Sequence, residues 1–220
     1  MMQTRIHFME ELARLNHDIL TMGIKVEENL RKALEAFKAQ DIELARDAKA
    51  GDEIVNALQL KIQDQAAILI ATQQPVARDL RELVSIFKVT DNLERAGDHA
   101  SHLAKAAIKL AGEQPSRQLG RIETMVGTCC AMIRGAVNAW INHDVEEARK
   151  IAAMDRDVDS EHKALVHDVL EFIKEHPELA DRASRVISNS GYLERVGDHM
   201  TNICEAVVYM VEGSHVELKD

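Results

Sequence analysis

Apolar residues recur along this 220-residue chain at three- and four-residue steps. From about Thr4 to Lys38 the stripe is Ile6, Leu12, Leu15, Ile19, Met22, Val26, Leu30, Ala33 and Phe37, which predicts a long amphipathic helix. Gln40-Asp41 breaks the pattern, with Asp41 placed as the N-cap of a second helix and Glu43 in its first turn. The stripe of that helix runs through Ile54, Leu58, Ile62, Ala66 and Leu69 until Thr72-Gln73-Gln74-Pro75 ends it. Pro75 suits the first turn of a third helix that extends through Ala100, Leu103 and Ala107 to about Leu110. Ala111-Gly112-Glu113-Gln114-Pro115-Ser116 then reads as a linker.

The second half repeats the first. Leu93-Glu94-Arg95-Ala96-Gly97-Asp98-His99 returns as Leu193-Glu194-Arg195-Val196-Gly197-Asp198-His199, with one residue changed. At an offset of 103, Phe37 meets Trp140, Asp41 meets Asp144, Ala45-Arg46 meets Ala148-Arg149, Asp52 meets Asp155 and Val55 meets Val158. The offset falls to 100 at the motifs, a change most easily absorbed at the turns near Pro75 and Pro177. Duplication of a three-helix unit is the economical account. It predicts an all-α chain of six long antiparallel helices in two tandem bundles, spanning 1–112 and 116–213, with 214–220 as a frayed tail.

Composition agrees with that class: 46% apolar, only 3% aromatic and 3 Pro. No apolar run approaches the roughly 20 residues that cross a bilayer, and the start of the chain lacks a signal-peptide pattern, so a cytoplasmic protein without a membrane span is expected. A formal charge of −10 argues against a nucleic-acid surface. Cys129, Cys130 and Cys204 form no CxxC pair or disulfide framework and read as reduced structural thiols.

The candidate chemistry lies in the repeated motif. Glu94 and Asp98 stand four apart on one helical face, as do Glu194 and Asp198, an arrangement that costs about 0.2–0.5 kcal/mol in an isolated helix. Counted backwards along the helix, Asp98 is preceded by Glu94, Asp91, Phe87, Val84 and Leu80, so the acids continue an apolar stripe and are expected to face the bundle interior. Gly97 and Gly197, each costing about 1 kcal/mol inside a helix, point to a close helix-helix approach there. His99 and His199 stand one step round and are expected to hydrogen-bond or face solvent.

Distances from the turns identify the facing residues. Asp98 lies 23 residues after Pro75 and Asp52 lies 23 before it; Glu94 and Asn56 are each 19 away. Asp155 and Asp159 precede Pro177 by 22 and 18, while Glu194 and Asp198 follow it by 17 and 21. Carboxylates converging from two helices suit a hard cation: iron, manganese, magnesium or calcium ahead of a structural zinc, the identity being open. The metal candidates are Asp52, Glu94 and Asp98 in one half and Asp155, Asp159, Glu194 and Asp198 in the other, with Asn56, Asp91 and His162 as weaker ones. The competing reading is an ion network in which Arg46, Arg95, Arg149, Arg195 and nearby lysines neutralise the acids.

Two LERxGDH motifs in a duplicated three-helix chain, with Gln74-Pro75-Val76-Ala77-Arg78-Asp79-Leu80-Arg81 before the first, resemble the PhoU family of phosphate-signalling proteins over nearly the whole chain. The resemblance implies a cytoplasmic homodimer with metal clusters on the paired motifs. It further implies a negative regulator of the phosphate-starvation response, an adaptor coupling the ATPase subunit of a phosphate ABC transporter to a membrane sensor histidine kinase, without enzymatic activity. Asn56 stands where an acid is expected, Gly191 replaces the counterpart of Asp91, and His102 and Lys105 replace the more family-like Asn202 and Glu205. The alternative is a carboxylate-bridged metal enzyme of helical-bundle type, to which Asp159-Ser160-Glu161-His162 comes nearest.

Overall fold

A computed structural model describes residues 2–109 and 119–219, with side chains from residue 5 onward. Its elements are α1 (Met2–Ala39), α2 (Ile42–Gln73), α3 (Arg78–Lys109), α4 (Leu119–Asn142), α5 (Val145–Ala153), α6 (Asp155–Glu175), one 3₁₀ turn (Pro177–Leu179) and α7 (Ala180–Glu212). No strand occurs among the described residues. The expected linker, the expected helix end at Leu110 and the boundaries at 112 and 116 lie outside the described residues.

The repeat is visible in the caps. Asp41 accepts from the Leu44 N–H at 3.0 Å to start α2, and Asp144 accepts from the Glu147 N–H at 2.9 Å to start α5. The counterpart of α2 is interrupted at Met154, whose N–H bonds the Ile151 carbonyl at 3.1 Å; this local tightening divides one rod into α5 and α6. Counted as rods, the helices number six among the described residues. Pro75 is not in the first turn of α3. It sits in the connection between Gln74 and Ala77, both left-handed at φ 48, whereas Pro177 opens the 3₁₀ turn.

Leu12, Leu15, Ile19, Met22, Val26 and Leu30 of the predicted α1 stripe are buried, while Ile6 is left exposed and Phe8, outside that stripe, is buried in its place. On α2 the inward face is Val55, Ile62, Ala66 and Leu69; Ile54, expected inside, is 51% exposed. One hydrophobic cluster runs through both halves, because α1 packs on α4 and α3 on α7 in addition to the contacts within each half. Trp140, fully buried, donates to Asn16 Oδ1 at 3.0 Å, and Asn16 donates to the buried Glu82 at 3.2 Å, which ties α4 to α1 and α3. The two units therefore share a core.

Helices α3 and α7 run antiparallel. Lys88 meets Glu205 at 3.1 Å, Asn202 donates to Asn92 at 3.1 Å, and His102 lies against Tyr192 with ring centroids 4.6 Å apart. Each of these residues has its counterpart a hundred positions away, so the helices are related by a local pseudo-twofold near the two motifs. The segment after α7 is not frayed: Leu218 packs on the core, its N–H bonds Glu205 at 3.2 Å, and His215 stacks on Tyr209.

Candidate functional site

The core face of α3 is Leu83, Ile86, Val89, Leu93, Ala96 and Ala100. The acids lie beside that face and not on it, contrary to the stripe drawn through Leu80 and Val84, which are 37% and 47% exposed. Asp91 and Asp98 are exposed and Glu94 half-buried, so the motif acids line the edge of the α2–α3 seam. A one-residue error of phase explains the difference: the helix repeat of 3.6 lets two adjacent stripes pass for one over a few turns.

The register drawn from the turns holds where the glycines report it. A Cβ added at Gly97 would meet Val55 Cγ1 at 3.3 Å and Asp52 Oδ1 at 3.6 Å. One added at Gly197 would collide with Asp155 Oδ1 and stand 3.8 Å from Val158 Cβ. Each motif glycine thus seats the neighbouring helix at the point where that helix carries its first acid, bringing Asp52 to α3 and Asp155 to α7.

The carboxylates act on one another. Burial, then Asp98, raises the pKa of Asp52, with Lys105 and His102 opposing. Glu94 is raised by burial, then by Asp98 and Asp52, with Arg95 opposing. Asp155, 4% exposed, is raised to about 6 by burial and by Asp198, with smaller contributions from Asp159 and Glu194 and with Lys219 opposing. The seven principal acids consequently fall into two groups, Asp52/Glu94/Asp98 and Asp155/Asp159/Glu194/Asp198. Buried oxygens of Asp52, Asn56, Asp155 and Asp159 have no hydrogen-bond partner. A buried acceptor left unmatched costs on the order of 1–3 kcal/mol. Four such acceptors on the candidate residues are a donor set that a hard cation would satisfy.

Of the weaker candidates, Asp91 accepts from Gln59 at 2.8 Å and Gln63 at 2.7 Å, which satisfies it within the seam. His162 stands about one turn beyond Asp159, its Nδ1 2.9 Å from Ser190 Oγ. Among the described residues no three His, Cys, Asp or Glu side chains are gathered in a closed ligand set. Side chains would have to rotate inward to complete one.

The arginines considered as neutralisers are engaged elsewhere in two cases: Arg46 with Glu43 at 2.6 Å and Arg149 with Glu212 at 3.5 Å. The second group is balanced instead by Lys219, which pairs with Asp198 and approaches Asp155 at 4.0 Å. No periodicity marks a residue at the end of an irregular tail, and Lys219 carried no signal in the sequence for that reason. Of the two outcomes expected for His99 and His199, hydrogen bonding holds for His199, and both rings are half-buried. They stack on each other at the pseudo-twofold, 5.5 Å between centroids, and His199 Nδ1 lies 3.0 Å from Asn92 Oδ1. Burial, His199 and His102 lower the His99 pKa to about 4, which keeps it neutral.

Two quasi-equivalent acid groups, each spanning a helix pair of a duplicated all-α scaffold, define the class of protein. A PhoU domain matches residues 19–107 and 122–207. The chain is 33% identical over 218 residues to a phosphate-specific transport system accessory protein PhoU homolog of Clostridium acetobutylicum, covering 99% of this chain and all of that protein. It is 31% identical to the phosphate-specific transport system accessory protein PhoU of Escherichia coli strain K12, covering 94% of this chain and 86% of the other. The crystal structure of PhoU from Pseudomonas aeruginosa superposes with a TM-score of 0.89 at 33% identity, over 94% of this chain and all of that one. The chain belongs to the PhoU family.

Proposed function

We propose that this protein is an accessory regulator of phosphate-specific transport, and that it represses the phosphate-starvation response when phosphate is plentiful. The observation that carries this reading is the full-length likeness to proteins named as accessory components of that transport system. A solved relative from Streptococcus pneumoniae, with a TM-score of 0.88, is described as a phosphate transport system regulatory protein. Among the described residues no helix is long and apolar enough to cross a membrane, which suits a part that works by docking on membrane-borne partners. In this reading the protein acts on the cytoplasmic side, as a homodimer, between the transporter ATPase subunit and a sensor histidine kinase, and makes and breaks contacts without turning over a substrate.

The acid groups are the proposed metal sites, held by Asp52, Glu94 and Asp98 with Asn56, and by Asp155, Asp159, Glu194 and Asp198. The partnerless buried oxygens support the assignment. A bound cation would supply positive charge between two helices whose acids otherwise repel. Here the chain supplies partial substitutes, Lys105 beside Asp52 and Lys219 beside Asp198.

The test is alkaline phosphatase activity, as reporter of the phosphate regulon, in phosphate-rich medium. Deletion of the gene is expected to raise activity, wild-type complementation to restore repression, and Glu94→Ala/Glu194→Ala to restore it poorly. Low activity in the deletion strain would overturn the regulator reading.

A further inference from the structure

The geometry points to a second kind of site, an anion-binding cleft between the C-terminal part of α3 and the N-terminal part of α7 that takes a phosphate group, free or on a small molecule. The half-open cleft encloses about 580 Å³ and is lined by His102, Lys105, Lys109, Arg185, Asn189 and Tyr192 among others. Three of these are cations, and no acid is among the described lining residues. In a chain of net charge −10 such a local excess runs against the average.

Two independent features indicate a ligand. Asn189 is only 4% exposed, yet its Nδ2 has no hydrogen-bond partner, and a buried amide donor is normally matched by an acceptor. Nδ1 of His102, also buried, is likewise without a partner. The cations are available as well. Neither Lys105 nor Lys109 has an ion pair among the described residues, although Asp52 feels the Lys105 charge; Arg185 is held by Asp181, an i,i+4 partner that is 87% exposed. A pair of that kind is weak and screened by salt.

The pseudo-twofold supplies an internal comparison. The counterparts of Lys105, Ser188 and Tyr192 are Glu205, Lys88 and Asn92. On that side Lys88 and Glu205 form an ion pair, Asn92 and Asn202 are hydrogen-bonded, and the C-terminal segment covers the place with the Leu218 N–H on Glu205. The charges are paired there, although the buried Ser85 hydroxyl is left without a partner. At the cleft, lysine stands where glutamate closes the other side, serine where lysine does, and Arg185 where the first half has Ser85. Duplication has left one copy with its charges paired and the other with three cations and an unmatched buried amide in the wall of an open cleft.

A tetrahedral phosphate group meets those donors with several acceptor oxygens and up to two negative charges. The cleft has room for more than the bare ion, and the ring of Tyr192 offers an apolar surface to an attached group. The cleft adjoins the first acid group through Lys105 and His102, both of which act on Asp52, but it uses none of the acids and does not depend on the regulator reading.

The experiment is calorimetric titration of the full-length, chelator-treated protein with inorganic phosphate and, separately, with ATP. Saturable binding is expected to at least one of them, weakened about tenfold or more in Lys105→Gln/Arg185→Gln. Asn189→Leu should weaken it several-fold while circular dichroism melting shows a folded chain, and Lys150→Gln, on another surface, should leave it unchanged. Tighter binding of ATP assigns the cleft to phosphate esters, and tighter binding of phosphate to the free ion. Absence of saturation by either up to about 10 mM, or equal affinity in the double variant, would overturn the proposal. The phosphatase reporter can succeed or fail whatever the titration shows.

Discussion

Asp155 sits in an unfavourable electrostatic setting. Its carboxyl is buried among Asp159 of α6 and Asp198 and Glu194 of α7, and only Lys219 opposes them. The folded-state pKa of about 6 lies above the ordinary 3.8, so between those values the folded chain holds a proton that the unfolded chain has released. Metal-free protein therefore loses stability as pH rises through this window, and the whole cost is present at neutral pH. Asp155→Asn should stabilise chelator-treated protein at pH 7.5 by about 1–2 kcal/mol, with the gain shrinking as pH falls from 6 toward 4. Denaturant melts at several pH values check this, and a destabilised variant at pH 7.5 would contradict it. The thiols behave in the opposite sense to reactive cysteines: burial pushes Cys130 up to about 11 and Cys204 up to about 12, and Cys129 higher still. They should resist a thiol reagent until the chain unfolds, as absorbance titration with and without denaturant will show.

Among the elements, the motif glycine and the C-terminal segment control the second acid group. Gly197→Ala forces Asp155 Oδ1 aside. The helix-propensity gain of about 1 kcal/mol offsets part of the strain, so stability should change by no more than about 1 kcal/mol while metal affinity at that group falls. Lys219→Ala acts the other way: it removes an ammonium that competes for Asp198, at a cost of about 1 kcal/mol or less for a half-exposed pair, and should tighten metal binding. Parallel metal titrations of the two variants test both statements, since weaker binding in Lys219→Ala would make the lysine a support and not a competitor. Much at this scale is legible in the sequence. The LERxGDH repeat marks the acids, the glycines mark the helix contact, and distances to Pro75 and Pro177 pair Asp52 with Asp98 and Asp155 with Asp198. Three features are not legible. Ile54 and Val55 are adjacent and both apolar, so the stripe on α2 can be drawn through either. The stacking of His99 on His199 is not visible because the two belong to different halves, which leaves only hydrogen bonding or solvent to be expected of either. Lys219 acts from an irregular tail, whose fold-back depends on contacts with α7 that no local pattern encodes.

At the scale of the molecule, duplication can be read from the sequence, but the manner in which the halves combine cannot. Two bundles joined by a linker and two units sharing one core have the same periodicities, and only the packing of α1 on α4 and α3 on α7 distinguishes them. The shared core predicts one cooperative unfolding transition. Trp140, the single tryptophan, lies in the second half but bonds Asn16 in the first, so its fluorescence and the far-ultraviolet dichroism should report coincident midpoints. Separate midpoints would mean that the halves unfold independently.

The central claim is that each half presents one cation site built from its own acids. Metal stoichiometry on purified protein tests it most directly, comparing wild type with Asp52→Asn/Glu94→Gln and with Asp155→Asn/Glu194→Gln after equilibration with iron or manganese. The account predicts that each double variant loses one half's metal and keeps the other's. Full metal content in both variants would contradict it and return the acids to a purely structural role.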